Sequence, residues 1–224
     1  YRILDCKGKP LDVQRFFEKR KVVASYVPRS VVDAMGQFDL RKCPLFRWMC
    51  TLFPEERVRE VWKMYNVTTD SQQNAVFWYA DSEGRIAFDK RIAYKEDGHR
   101  DKSYFPPREY RTADGFTARP YFGAHLVSDE CVNVVESEKS ALLGALAYGG
   151  VWLATGGKGN LKDVANTKLY PDYDARQEWQ DRANGKAEVV EWWQGWSECG
   201  ETSDIGDLIE WKVKNGKFWY PLRG

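Results

Sequence analysis

Apolar and polar positions alternate in two textures along the 224-residue chain. In residues 54–65, Val58, Val61, Trp62 and Tyr65 recur at helical spacing, which predicts an amphipathic helix with that stripe in the core. Residues 43–53 predict a helix before it, and Ser30 ahead of VVDAMGQF predicts an N-capped one. AVFWYA (75–80), the turn DSEG and RIAFDKRIAY (85–94) predict a β-hairpin. A turn follows at 95–99, then a loop or linker over 104–120, marked by Pro106, Pro107, Gly115 and Pro120.

After Tyr121 short apolar runs alternate with helical segments. Strands are predicted at 131–135, 151–155, 167–170 and 188–193, and helices at 137–148, 161–165, 175–183 and 204–212. Such alternation implies a parallel sheet with helices on both faces and right-handed crossovers. The expected organisation is an α+β domain with a hairpin over 1–120 and an α/β domain over 121–224.

Charge sharpens this division. Residues 1–120 carry 23 Lys+Arg against 17 Asp+Glu, and residues 121–224 carry 11 against 16, within a net charge of only +1. A basic part beside an acidic one suits a protein that meets an anion with one and holds cations with the other; uneven solvated surfaces would look the same. Five cysteines without a Cys-x-x-Cys pair and two histidines make no zinc site, and the thiols are expected to be reduced in a cytoplasmic protein. The most apolar stretch, 141–154, is too short and Gly-rich to span a membrane. No signal peptide is visible, and a chain beginning at Tyr1 is expected to be part of a longer one.

In open parallel sheets ligands bind beyond the carboxyl ends of the strands, and acids fall there. Glu136 follows the first predicted strand, Asp172 and Asp174 the third, and Asp204 and Asp207 lie beyond the fourth. Gathered carboxylates raise one another's pKa or demand a cation, and hard oxygen ligands suit Mg²⁺. Acids after strands also serve as helix caps. Asp163, Asp181 and Glu138 are read as caps or solvated faces, with Glu138 complementing a helix dipole. GGKG (156–159) lacks the spacing of a Walker A loop, although Lys158 remains able to meet a phosphate. Residues 88–111 interleave seven basic with five aromatic residues and are a candidate nucleic-acid path; five acids among them equally allow a solvated hairpin. Arg15, Lys19, Arg20 and Lys21 form a second basic patch, His99 and His125 read as structural, and Trp192, Trp193 and Trp196 as cover for the core edge.

VVESEKSA resembles the first motif of Toprim domains, YPDYDA the second, and SDIGD the further acidic element of primase-type members. YFGAHL, VWLATGGKGNL and, upstream, NAVFWYADSEGRIAFDKRIAY resemble the Toprim-containing primase-like proteins of bacterial mobile elements, so the resemblance loosely covers most of the chain. It implies a Toprim-like parallel sheet and a Mg²⁺-dependent (or Mn²⁺-dependent) centre for nucleotidyl or phosphoryl transfer on DNA or RNA, single-stranded in the first instance. Glu136 would be the general acid/base, Asp172 and Asp174 metal ligands, and Asp204 or Asp207 assistants. Lys90, Arg91, Lys139 and Lys158 would meet nucleic acid, and a helicase or other replication protein would be a partner. Ser137 stands where the family usually has Gly, and Ser140 where Asp is common. The zinc ribbon that members often carry upstream is not visible. Primer synthesis, strand cleavage and non-catalytic binding all remain open.

Overall fold

The structure, a computed structural model, describes residues 26–110, 119–128, 131–162 and 165–218. The basic patch at Arg15–Lys21 and Asp163 lie outside the described residues. Helix α1 (Arg29–Met35) opens the described chain. Ser30 lies within it rather than capping it: Pro28 takes the N-cap position, with the fixed φ that starts a helix without a side-chain acceptor. Helices α2 (Pro44–Leu52) and α3 (Glu55–Met64) follow as expected. The predicted stripe of Val58, Val61, Trp62 and Tyr65 is buried, with Phe46 edge-on to Trp62.

Strands β1 (Val67–Thr69), β2 (Ala75–Ala80) and β3 (Ile86–Ile92) form an antiparallel sheet in that order. The hairpin was legible; β1 was not, because three residues carry no period. All of β2 is buried, which explains its unbroken apolar run. Phe77 and Tyr79 enter the main core, whereas Val76 and Trp78 pack with Val32 and Met35 of α1. Within β3, the Asp89 carboxylate accepts from the Tyr110 N–H and from Arg91, fixing the loop that follows the strand.

The second sheet is parallel. Strands β4 (Val132–Val135), β5 (Trp152–Ala154), β6 (Thr167–Leu169) and β7 (Glu188–Val189) lie in the order β5-β4-β6-β7. Helix α4 (Glu138–Tyr148) connects β4 to β5, α5 (Arg176–Ala183) connects β6 to β7, and α6 (Ile205–Lys214) follows. Leu142 and Leu143 of α4 and Ile205, Leu208 and Ile209 of α6 share a core with Val135, Trp152 and Ala154. Val134, Leu153 and Leu169 pack on the other face against Trp179 and Ala183 of α5. The fold is thus mixed α/β, with helices on both faces of a parallel sheet. Strand β7 is shorter than its apolar run, which continues as a turn through Trp193. The helix expected over 161–165 is absent at Leu161 and Lys162; a single 3₁₀ turn, Lys158–Asn160, precedes them.

The two sheets meet at aromatic residues. Phe122 exchanges backbone hydrogen bonds with Ala154 on the edge of β5 (2.9 and 3.1 Å) and lies against Tyr65, Phe77 and Tyr79. Tyr65 Oη accepts the Trp152 N–H at 2.9 Å. A Cβ at Gly144 would lie 2.3 Å from the Trp152 ring, so α4 approaches β5 only because this residue has no side chain. Gly144→Ala should therefore destabilise the fold by about 1–3 kcal/mol through overpacking, although alanine is intrinsically the better helix former by ~1 kcal/mol. Urea denaturation checks this; a more stable variant would contradict the packing.

Candidate active site at the carboxyl edge of the parallel sheet

The chain delivers its acids to one edge by three short turns. Glu136 directly follows β4, and its carbonyl accepts the Gly156 N–H from the loop after β5 (2.9 Å). Ser137 then caps α4, its hydroxyl accepting from the Ser140 N–H at 3.1 Å. Asp172 and Asp174 flank Tyr173 in a 3₁₀ turn after β6. That turn is held by Tyr173 N–H donating to Ser203 O (2.9 Å) and Trp192 Nε1 donating to Pro171 O (2.8 Å). Asp204 and Asp207 form a capping box at the start of α6: Asp204 Oδ1 accepts the Asp207 N–H at 2.9 Å, and Asp207 Oδ2 accepts the Asp204 N–H at 3.0 Å. Ser140 Oγ donates to Asp204 Oδ2 at 2.8 Å, so the hydroxyl at this position ties Asp204 to α4.

The five carboxylates feel one another. Burial pushes Asp172 up to about 8, helped by the charges of Asp204, Glu136, Asp174 and Asp207. Glu136 is raised by burial and by the Asp174 charge, against the opposing pull of the Lys158 backbone N–H and ammonium. Burial and Asp204 lift Asp207 to about 6. Lys158 Nζ reaches Asp174 Oδ2 and the Asp174 carbonyl, each at 3.1 Å. Glu136 Oε2 is buried with no hydrogen-bond partner among the described residues. A buried carboxylate oxygen without a donor, in a cluster that resists further negative charge, fits a hard cation chemically. Among the described residues no three Asp, Glu, His or Cys side chains already stand as a ligand set. Glu136, Asp172 and Asp174 are the candidate holders, since Asp204 and Asp207 already satisfy a helix terminus.

The basic residues divide. Lys139 lies over the Trp48 ring and, with Lys90, Arg100, Tyr94 and Glu136, lines a cleft of about 290 Å³ beside the acids. Lys158 is half exposed at the acidic edge. Arg91 is only 4% exposed and is taken up by Asp70, Asp89 and Glu109, so its guanidinium is directed inside the first sheet rather than towards the cleft. Asp181 is exposed, as expected. Glu138 is neither solvated nor a simple dipole partner. Although in the first turn of α4, it is 1% exposed, and its carboxylate receives Lys90 Nζ at 2.7 and 3.0 Å and the Tyr79 hydroxyl. This long-range trio left no local signal: the lysine and tyrosine come from strands whose facing partner is invisible in a one-dimensional pattern. His125 is structural, its Nε2 bonded to Met64 O and Asn66.

Residues 44–171, more than half of the chain, match the family model described as "Domain of unknown function (DUF6371)"; the chain belongs to this family. No curated protein matches it significantly. Among solved structures it is similar to the primase fragment of the bacteriophage T7 primase-helicase protein, with 17% identity and a TM-score of 0.45, covering 70% of this chain and 66% of that one, just under two thirds. It is also similar to a chain in the structure of bacteriophage T7 lagging-strand DNA polymerase interacting with primase domains. There the identity is 15% and the TM-score 0.41, covering 72% of this chain and 86% of that one. At this level of likeness the reading of the site rests on its own residues. No helix among the described residues is long and apolar enough to cross a membrane.

The raised Asp172 carboxyl has a consequence for stability. The folded state keeps a proton that the unfolded chain releases near pH ~4, so stability should fall as pH rises from that value through about 8. Asp172→Asn should flatten this decline. Urea midpoints at pH 5 and 8 check it: equal slopes for both proteins would contradict the electrostatic cluster.

Proposed function

We propose that this chain is a Toprim-type, Mg²⁺-dependent enzyme of nucleotidyl or phosphoryl transfer on nucleic acid, of the primase-like kind, with Mn²⁺ able to replace Mg²⁺. The observation that supports the reading is that Glu136, Asp172 and Asp174, which follow strands at the carboxyl edge of a parallel sheet, feel one another's charge beside a cleft lined by Lys90, Arg100 and Lys139. A metal bound there would stabilise charge developing on a phosphate. Asp172 and Asp174 would hold it together with Glu136, and the capping box would keep Asp204 and Asp207 close enough to add negative field. Glu136, whose carboxyl is raised by burial, is suited to take a proton from an attacking hydroxyl and return it. Arg100 and Lys139 would meet the phosphates of a single-stranded template or of a nucleotide. Lys158, paired with Asp174, would do so only after exchanging partners. The natural setting on this reading is mobile-element DNA replication in the cytoplasm, with a helicase or other replication protein as partner.

A second reading, a nucleic-acid-binding module without catalysis, is favoured by one feature: Lys158 already neutralises Asp174, and no ligand set is pre-assembled among the described residues. The two separate in an assay with Mg²⁺ or Mn²⁺, single-stranded template and nucleotides. Glu136→Gln and Asp172→Asn should each lower product formation by about 10²-fold or more. Products from both variants at the wild-type rate would leave only the binding module. In either case oligonucleotide affinity should fall with salt, with a log–log slope of about −0.7 per phosphate neutralised. A salt-independent affinity, or none at low salt, would remove nucleic acid as the partner.

A further inference from the structure

Glu138 lies two residues beyond the proposed acid/base and lines the same cleft, yet its carboxylate is bonded to the antiparallel sheet. Burying a carboxylate this deeply costs several kcal/mol unless its charge is matched and its oxygens are bonded. Both conditions are met from the antiparallel sheet. Lys90 of β3 supplies the charge, its Nζ reaching Oε1 at 2.7 Å and Oε2 at 3.0 Å, and Tyr79 of β2 donates its hydroxyl to Oε1. Tyr79 is itself fixed by stacking on Phe88, with ring centroids 4.4 Å apart.

The loop after β5 rests on this trio. Gly156 has φ +74°, and a Cβ there would lie 2.6 Å from Tyr79 Oη and 3.5 Å from Glu138 Oε1. The chain passes so close that only glycine fits. From that seat the loop reaches back to Glu136: the Gly156 N–H donates to its carbonyl at 2.9 Å. Glu138 therefore touches both supports of Glu136, the α4 turn through the chain and the Gly156–Lys158 loop through packing.

We propose that Tyr79, Lys90 and Glu138 are positioning residues that set the Glu136 carboxylate from the antiparallel sheet, a role that deepens the enzymatic reading above and rests on it for its consequence. Lys90 acts here by neutralising Glu138 rather than by meeting nucleic acid. Any displacement of the trio moves the Gly156–Lys158 loop, and with it the Gly156 N–H that holds the Glu136 carbonyl.

The test compares the wild type with Lys90→Met/Glu138→Gln, which removes both charges at similar volume and leaves neither unpaired, and with each single variant. Two readouts are needed: amide hydrogen exchange at Gly156, Gly157 and Lys158, and the dissociation constant for Mn²⁺. In the folded double variant these three amides should exchange at least tenfold faster while β2 and β4 keep their protection. Mn²⁺ binding should weaken at least fivefold, and Glu136→Gln should abolish it. Wild-type protection at the loop would overturn the proposal. So would protection lost evenly along the chain, which is the signature of a general staple, or a looser loop with unchanged Mn²⁺ affinity. A wild-type protein that binds no Mn²⁺ overturns the metal reading of the site instead, and the exchange data then decide the positioning role alone.

Discussion

Carboxylates repel one another, and this chain brings five of them to one edge of one sheet. Asp172 carries the heaviest share, being half-buried and facing the charges of four others. Like charges at close range in a poorly solvated place are costly, so the turns that hold them must be stiff. They are: a capping box locks Asp204 to Asp207, Ser140 locks Asp204 to α4, and the Tyr173 amide locks the middle turn to the segment before α6. Part of the repulsion is relieved by Lys158, and the remainder is the electrostatic demand that a cation would satisfy. Structure and chemistry meet in this tension, since strain kept by rigid surroundings is how sites store reactivity.

The antiparallel sheet is more than a neighbour of this edge. Its β2 is buried on both faces, and its β3 sends alternate residues to opposite jobs. Phe88 and Lys90 face the parallel sheet, whereas Asp89 and Arg91 lie in an ion-pair cluster on the other side with Asp70 and Glu109. The period of two along a strand thus divides adjacent basic residues, Lys90 and Arg91, between the site wall and the protein interior.

Much of this was legible in the sequence, for physical reasons. Long periodic helices such as α3 and the apolar run of β2 carry local signals, and the acids after β4 and β6 stand out because strand ends interrupt apolar runs. Other features were not legible. Strand β1 and the end of β7 are too short to show a period. Ser30 looked like a cap, but Pro28, two residues earlier, starts the helix by its fixed φ. Glu138 looked solvated because its partners, Tyr79 and Lys90, are 59 and 48 residues away. Pairings over such distances are set by how the sheets pack, which no single stretch records. The same holds for Arg91, whose neighbour Lys90 is an identical charge on the opposite face.

The central claim is that Glu136, Asp172 and Asp174 share one divalent cation. Anomalous diffraction from crystals grown with Mn²⁺ tests it most directly. The account expects a single strong peak at the carboxyl edge of β4 and β6, within ligand distance of Glu136 and at least one of the two aspartates, and its loss in Glu136→Gln. A peak on another face of the molecule, or none at that edge in saturating Mn²⁺, would contradict it.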